Sequence, residues 1–485
     1  MVKPSSKGGL NLRKRRKIGG EENFVDRISA LPDEILVIIL SGLPVRDAQA
    51  TSILSRRWRY MWASITTLNF DDEKNLCRLY ELSRIYPEGK ELKKLRYVDW
   101  VDSVLKLHRA PNIEQFRVSF DIGPRSSIDE WIQFAMKKGV QMLELDFLEY
   151  PAHSRSSSYA LRQNVLGIRK GSGLNPLCSD VPSEHISEYV GFKSLKVLDL
   201  KSVDVAGNVL EDILSNCSVL ERLSMSDSSK LVNLRVISPS TALKYLVIQR
   251  CYKIKRIEIS DANLVSFVYD TDEAFIYDAD EVDLLLNNLP LLVEVSLGGI
   301  HSLDFLEVFS RISCCLAQLE ILNLNNLSLS YKSESVFPTL SNLKHLELAF
   351  DEKDNGGLLQ LASFIKASPL LHTLVLQLNC ISLSLITKGP FPNKKAAKCS
   401  HDNLKVVEII RYAGTTRQIE LVKYVTKTAI KLEKIVFNSV CHGHYRTRVD
   451  RLAEIGNGAW RKEWLSNQVR RIKKKLPASV EVVCL

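Results

Sequence analysis

The residues best able to do chemistry are Cys399 and His401, followed by Cys441, His442 and His444. Thiolate and imidazole are the donors zinc prefers, and a structural zinc needs four of them converging tetrahedrally. These five fall in two groups with no Cys-x-x-Cys pair to start a site. They read as loop residues near the end of the fold, and no metal is expected. The sequence has no glycine-rich phosphate loop, no nucleophile elbow and no His-Glu-x-x-His helix. No set of acid, base and nucleophile declares itself, so no cofactor is expected and the chain is not expected to be an enzyme. Function then has to lie in surfaces, and the question becomes which elements present them.

The formal charge of +10 over 485 residues looks like a signal for polyanions until it is located. Residues 1–20 hold seven basic and no acidic residues, and residues 445–485 hold ten basic against four acidic, so the ends carry +13 and the remainder −3. The body is not basic, and nucleic acid is not an expected partner. Within the tail 1–22, expected to be disordered for want of anything to bury, Arg13, Lys14, Arg15, Arg16 and Lys17 form a compact cluster of the type read as a nuclear localisation signal. Nucleus and cytoplasm are both open. The ten cysteines are scattered singly apart from Cys314-Cys315, which with no secretory signal places the chain in a reducing compartment. The longest apolar run is far short of a span, so a membrane is not expected.

The most apolar stretch is Leu31 to Trp62. Leu31, Ile35, Leu36, Ile39, Leu40 and Leu43 recur at helical spacing, with Pro32 placed for a first turn and Asp33 and Glu34 on the positive end of its dipole. Because Val37 and Ile38 fill the other sides, the run Ile35 to Leu40 is apolar all round, and it must be covered on more than one face. After Pro44 a second helix is expected through Ile53, Leu54, Trp58, Met61, Trp62 and Ile65. Such a unit cannot bury this much apolar surface alone.

The order Asp26-Arg27-Ile28-Ser29, Leu31-Pro32-Asp33-Glu34-Ile35-Leu36, Leu43-Pro44, Thr51-Ser52 and Leu54-Ser55-Arg56-Arg57-Trp58-Arg59 resembles the F-box, in the form common in plant F-box proteins. The resemblance implies a helical module that docks on the Skp adaptor of a Skp–cullin–F-box ubiquitin ligase, and through it on cullin and RING subunits. Its contact would be Leu31, Pro32, Ile35, Leu36, Ile39, Leu40, Leu43, Pro44, Leu54 and Trp58. The alternative is that these helices are only the cap a repeat protein needs.

From residue 113 a pattern L-x-x-L-x-L returns, from Ile113/Phe116/Val118 to Leu432/Ile435/Phe437, at intervals mostly between 21 and 33 residues with one of 55. The intervals match leucine-rich repeats, in which each unit lays one strand on the inner wall of a horseshoe. The 55 is read as two periods with one unit degraded near Val165 to Ile168, beside a loop rich in Ser, Arg and Gly. An additional Ile254/Ile257/Ile259 comes too soon for a full turn, and is placed on the outer wall as a return strand. Residues two, four and six after the first leucine face outward. Among those, Arg222, Tyr245, His345 and Glu347 are candidates to hold a substrate protein.

The segment from Pro369-Leu370-Leu371 to Leu432-Glu433-Lys434-Ile435 resembles the FBD segment that follows the repeats in many plant F-box proteins. A helix over Trp460 to Leu476, with Trp464, Leu465, Val469 and Ile472 on one side, and a final strand over Val480 to Val483 are expected to close the array. The fold class expected is α/β: a disordered tail (1–22), a helical F-box (23–68), a helical linker (69–112), a leucine-rich solenoid with a parallel inner sheet (113–368), the FBD-like segment with the final repeats (369–440) and a basic helix and strand (441–485). The chain reads as the substrate-recognition subunit of the ligase. A stand-alone repeat protein and a small-ligand receptor are the alternatives.

Overall fold

The computed structural model describes residues 28, 30–72, 87–147, 158–167, 190–237, 242–271, 282–299, 305–325, 337–351, 357–379, 399–412, 414–438 and 465–485. The tail with its Arg13–Lys17 cluster, Trp464, and Cys441, His442 and His444 lie outside them. Helices α1 (Asp33–Ser41) and α2 (Val45–Ala50) come first, followed by 3-10 turns over Thr51–Ile53 and Trp58–Ser64. The strands are β1 (Thr67–Asp71), β2 (Gln115–Ser119), β3 (Met142–Asp146), β4 (Tyr159–Ala160), β5 (Val197–Lys201), β6 (Val203–Asp204), β7 (Arg222–Ser226), β8 (Asn233–Ile237), β9 (Tyr245–Gln249) and β10 (Arg256–Ser260). They continue as β11 (Ser266–Asp270), β12 (Asp283–Asn287), β13 (Glu294–Gly298), β14 (Ile321–Asn325), β15 (His345–Asp351), β16 (Thr373–Asn379), β17 (Val406–Ile410), β18 (Lys434–Asn438) and β19 (Glu481–Cys484).

Fourteen of these strands form one sheet in the order β1-β2-β3-β5-β7-β9-β11-β13-β14-β15-β16-β17-β18-β19, every neighbour parallel. The cause is the repeat itself: the fourth and sixth positions, such as Phe116/Val118, Leu322/Leu324 and Leu346/Leu348, are buried and stack in register from strand to strand. Return helices seal the other side of that core. The helix Ser126–Lys137 buries Ile128, Trp131, Ile132, Ala135 and Met136, and Thr416–Thr428 begins with a capping box between Thr415 and Gln418. The architecture is a leucine-rich solenoid preceded by a helical module.

Five repeats turn off their strands through the same position. Ser202, Asp227, Arg250, Gly299 and Arg411, each seven residues after a repeat's first apolar residue, have positive φ. The left-handed conformation costs an L-residue roughly 1–2 kcal/mol, and here part is recovered sideways: the Arg250 guanidinium donates to both carboxylate oxygens of Asp227, at 2.8 Å each. At φ +72 a Cβ on Gly299 would overlap the Thr271 hydroxyl, so this corner needs glycine.

Four expectations change. The inner sheet starts at β1, not at residue 113, because Ile65/Leu68/Phe70 already has the repeat spacing and all three are buried. The helix Pro87–Leu107 is accordingly the first repeat's return and not a linker. The 55-residue interval holds no inner strand: β3 pairs directly with β5, and the Tyr159–Ala160 strand pairs with β6 in a separate two-stranded sheet. The second helix is broken into α2 and the 3-10 turns, since Thr51 Oγ donates to Ala48 O at 2.7 Å and Ser52 Oγ to Arg59 O at 3.0 Å, competing with helical bonding. Ile257 and Ile259 do sit on a return strand, β10, flanked by β8 and β12.

Candidate functional site

Two surfaces emerge. On α1, Pro32 and Pro44 stand at the N-caps of α1 and α2 with extended ψ of 154 and 144, so each proline ends one direction of chain and starts the next. Arg57 fixes the start of α1 through Asp33 Oδ1, at 2.8 Å from Nε, and through the Leu31 carbonyl. The helix then divides. Leu36 and Leu40 are fully buried with Val45, Ala48, Trp58, Met61 and Trp62, whereas Ile35, Ile38 and Ile39 are 42%, 66% and 47% exposed. Spaced three and four apart, these three isoleucines form one stripe. Leu43, Ile53, Leu54 and Tyr60 are also exposed on the module, with Ile53 at 88%. Large apolar groups bared together mark an interaction surface.

Of the residues assigned to the contact from sequence, Pro32, Ile35, Ile39, Leu43, Pro44 and Leu54 are exposed and Leu31 is half-buried against the core. Leu36, Leu40 and Trp58 are corrected: they are core residues of this chain and support the surface from beneath. Ile38 and Ile53 belong on it and were missed. Ile38 was read only as evidence of an all-apolar helix, and the helical phase relative to Leu36 and Leu40 would have found it.

The module is locked onto the first repeat. Arg46 pairs with Asp72 at 3.0 Å and lies over the Trp100 ring at 4.0 Å, and the Trp100 indole donates to Gln49 at 2.9 Å. Tyr97 donates to Phe70 O at 2.5 Å, and burial, with Asp72 and Asp71 nearby, holds its hydroxyl far above the usual range. His108 Nε2 meets Ile65 O at 2.9 Å while Lys138 Nζ approaches its Nδ1 at 3.1 Å. Desolvation first, and Lys138 after it, hold that imidazole below its ordinary pKa against the Ile65 carbonyl.

The second surface is the inner wall. Arg222 and Tyr245 are register partners on β7 and β9, with the guanidinium 4.3 Å from the ring centre. His345 and Glu347 share β15, four strands from Tyr245, or about 19 Å at ~4.8 Å per strand. The four candidates thus share a face but form two pairs. At the array's end His401 is structural: Nε2 meets Ser368 O at 2.8 Å and Nδ1 accepts from Leu404 N at 3.0 Å, leaving no nitrogen for a metal. Cys399 lies 3.2 Å from the Tyr424 hydroxyl, and among the described residues no metal-holding group of Cys, His, Asp and Glu occurs. Leu465, Val469 and Ile472 are buried beneath helix 465–473, and β19 pairs with β18 to cover the last repeat.

The chain is thus a leucine-rich solenoid locked to a helical module with one bare apolar face. The leucine-rich-repeat family described as At1g61320/AtMIF1, LRR domain, matches residues 104–469, and the F-box domain matches residues 28–68. The chain belongs to that leucine-rich-repeat family and carries an F-box ahead of the repeats. It is 27% identical over 432 residues to the F-box/FBD/LRR-repeat protein At5g56420 of Arabidopsis thaliana, covering 86% of this chain and 92% of the relative. It is 29% identical over 435 residues to the FBD-associated F-box protein At4g10400 of the same plant, covering 86% and 93%.

Proposed function

We propose that the chain is the substrate-recognition subunit of a Skp–cullin–F-box ubiquitin ligase. Its F-box would dock on the Skp adaptor, and its inner wall would hold a substrate protein. The observation that carries this reading is the division of α1. One side packs on the module's own Trp58–Ser64 turn, while Ile35, Ile38 and Ile39 are bare on the other. A cap would have no use for that second side. Catalysis would belong to the partners, and this chain would contribute proximity. No helix among the described residues is long and apolar enough to cross a membrane.

Co-expression with a plant Skp adaptor tests the docking. The wild-type chain is expected to co-purify with the adaptor and to recruit cullin, and an Ile35→Glu/Ile38→Glu variant to fold but remain alone. Undiminished capture by that variant would sink the reading. The Arg13–Lys17 cluster supports a nuclear pool. A fluorescent fusion that keeps its nuclear signal after all five residues become Ala would exclude the cluster as the address.

A further inference from the structure

At the middle of the inner wall β14 turns Ile321, Asn323 and Asn325 outward. In register beside them are Glu294, Ser296 and Gly298 on β13 and His345, Glu347 and Ala349 on β15. Beside Asn325, Gly298 has no side chain and the Asp270 carboxylate of β11 occupies the space above it, while Ala349 on the other side is small. Asn323 and Asn325 are only 7% and 6% exposed, and the side-chain carbonyl oxygen of each is buried without a hydrogen-bond partner among the described residues. A buried acceptor left open costs its full desolvation. Two of them on one strand call for donors that arrive from outside.

The surroundings fix the charge of those donors. Glu294 and Glu347 flank Asn323 diagonally and directly, and Glu408 lies two strands beyond Glu347 in the same row. The cation beside His345, Lys344, is engaged by Glu320 at 2.7 Å. Desolvation keeps the His345 imidazole below its ordinary pKa, against the pull of Glu408 and Glu294, so near neutral pH it is a hydrogen-bonding group and not a competing cation. An anion would be repelled here, and an apolar group would leave the carbonyl oxygens unpaired.

We infer that the surface of β13–β15, resting on the substrate-receptor reading above, receives an arginine side chain presented by the bound protein. Alternate residues of a strand lie about 6.6–6.8 Å apart, too far for one ammonium to satisfy both asparagines. A guanidinium carries five N–H donors in a planar fork and bridges that span, with Glu347 or Glu294 matching its charge.

The test uses the full chain purified with its Skp adaptor and an array of randomised nonapeptides whose central residue is fixed as Arg, citrulline, Lys, Leu or Glu. Arginine pools are expected to bind at least about tenfold more strongly than the citrulline pools, which keep the shape and lose the charge. Glu347→Gln should cost about tenfold, Asn323→Leu should abolish the preference, and Asn323→Asp should strengthen it. Equal binding of arginine and citrulline, a preference for Glu or Leu, no binding by any pool, or an arginine preference untouched by these variants overturns the assignment. Adaptor capture is scored in the same samples. Its loss in the wild-type chain would overturn the ligase reading, and its retention beside a failed array would overturn the arginine site alone.

Discussion

Single residues decide corners and titration in this chain. Gly299 has φ +72 with the Thr271 hydroxyl where a Cβ would go, so Gly299→Ala is expected to cost roughly 2 kcal/mol or more, measured as a lower urea midpoint. Ser202→Gly, at φ 55 in the equivalent position, relieves strain and should be neutral or stabilising. His108 is held neutral by desolvation and by Lys138. Its folded pKa lies below the unfolded value of about 6.5, so the folded state binds fewer protons. Its contribution is complete above that value and is lost as pH falls through the lowered folded pKa. Denaturant titrations at pH 7.5 and 5.5 should give a smaller difference for His108→Gln than for the wild type. An unchanged difference would assign the acid sensitivity to other groups. None of this was readable in sequence, where Gly299 and His108 are one glycine and one histidine among many; their roles depend on Thr271 and Lys138, brought in from neighbouring repeats.

Elements were more legible. The L-x-x-L-x-L spacing located twelve of the fourteen inner strands by their first apolar residue because the period maps one-to-one onto buried strand positions. It missed β1, since Ile65 was absorbed into the F-box helices, and it read a degraded repeat into the 55-residue interval because interval length cannot separate a missing strand from a long return. The pattern on the return side, Leu231/Leu234/Val236 and then Ile254/Ile257/Ile259, was seen only once of the two times it occurs, so β8 was overlooked. On α1 the apolar residues were legible but not their partition, which depends on how the Trp58–Ser64 turn packs against the helix. That partition is testable within one helix. Leu36→Ala and Leu40→Ala should each cost about 2–5 kcal/mol by thermal or urea unfolding, and Trp58→Ala about 3–5 kcal/mol. Ile38→Ser, 66% exposed, should leave the melting curve within about 0.5 kcal/mol of wild type while weakening adaptor capture.

At the scale of the molecule, the sheet has two ends and both are managed. The first is covered by the helical module, the last by helix 465–473 and β19. Removing residues 465–485 would bare the pairing edge of β18 and the apolar groups under the helix, so the truncated chain is expected to associate as concentration rises, as read by light scattering. A truncated chain that stays monomeric would mean that another segment guards the edge. The unbroken register from β1 to β19 also works as a ruler. Strands sit ~4.8 Å apart, so β14 lies eight spacings from β1, or about 38 Å along the sheet. The F-box is clamped to the first graduation by Arg46, Asp72 and Trp100. A cargo held at β14 would then be carried at a set stand-off from whatever grips α1, and inserting one repeat between them would move it outward by a single graduation without altering either grip. Which of the cargo's lysines comes within reach would be written in the number of repeats.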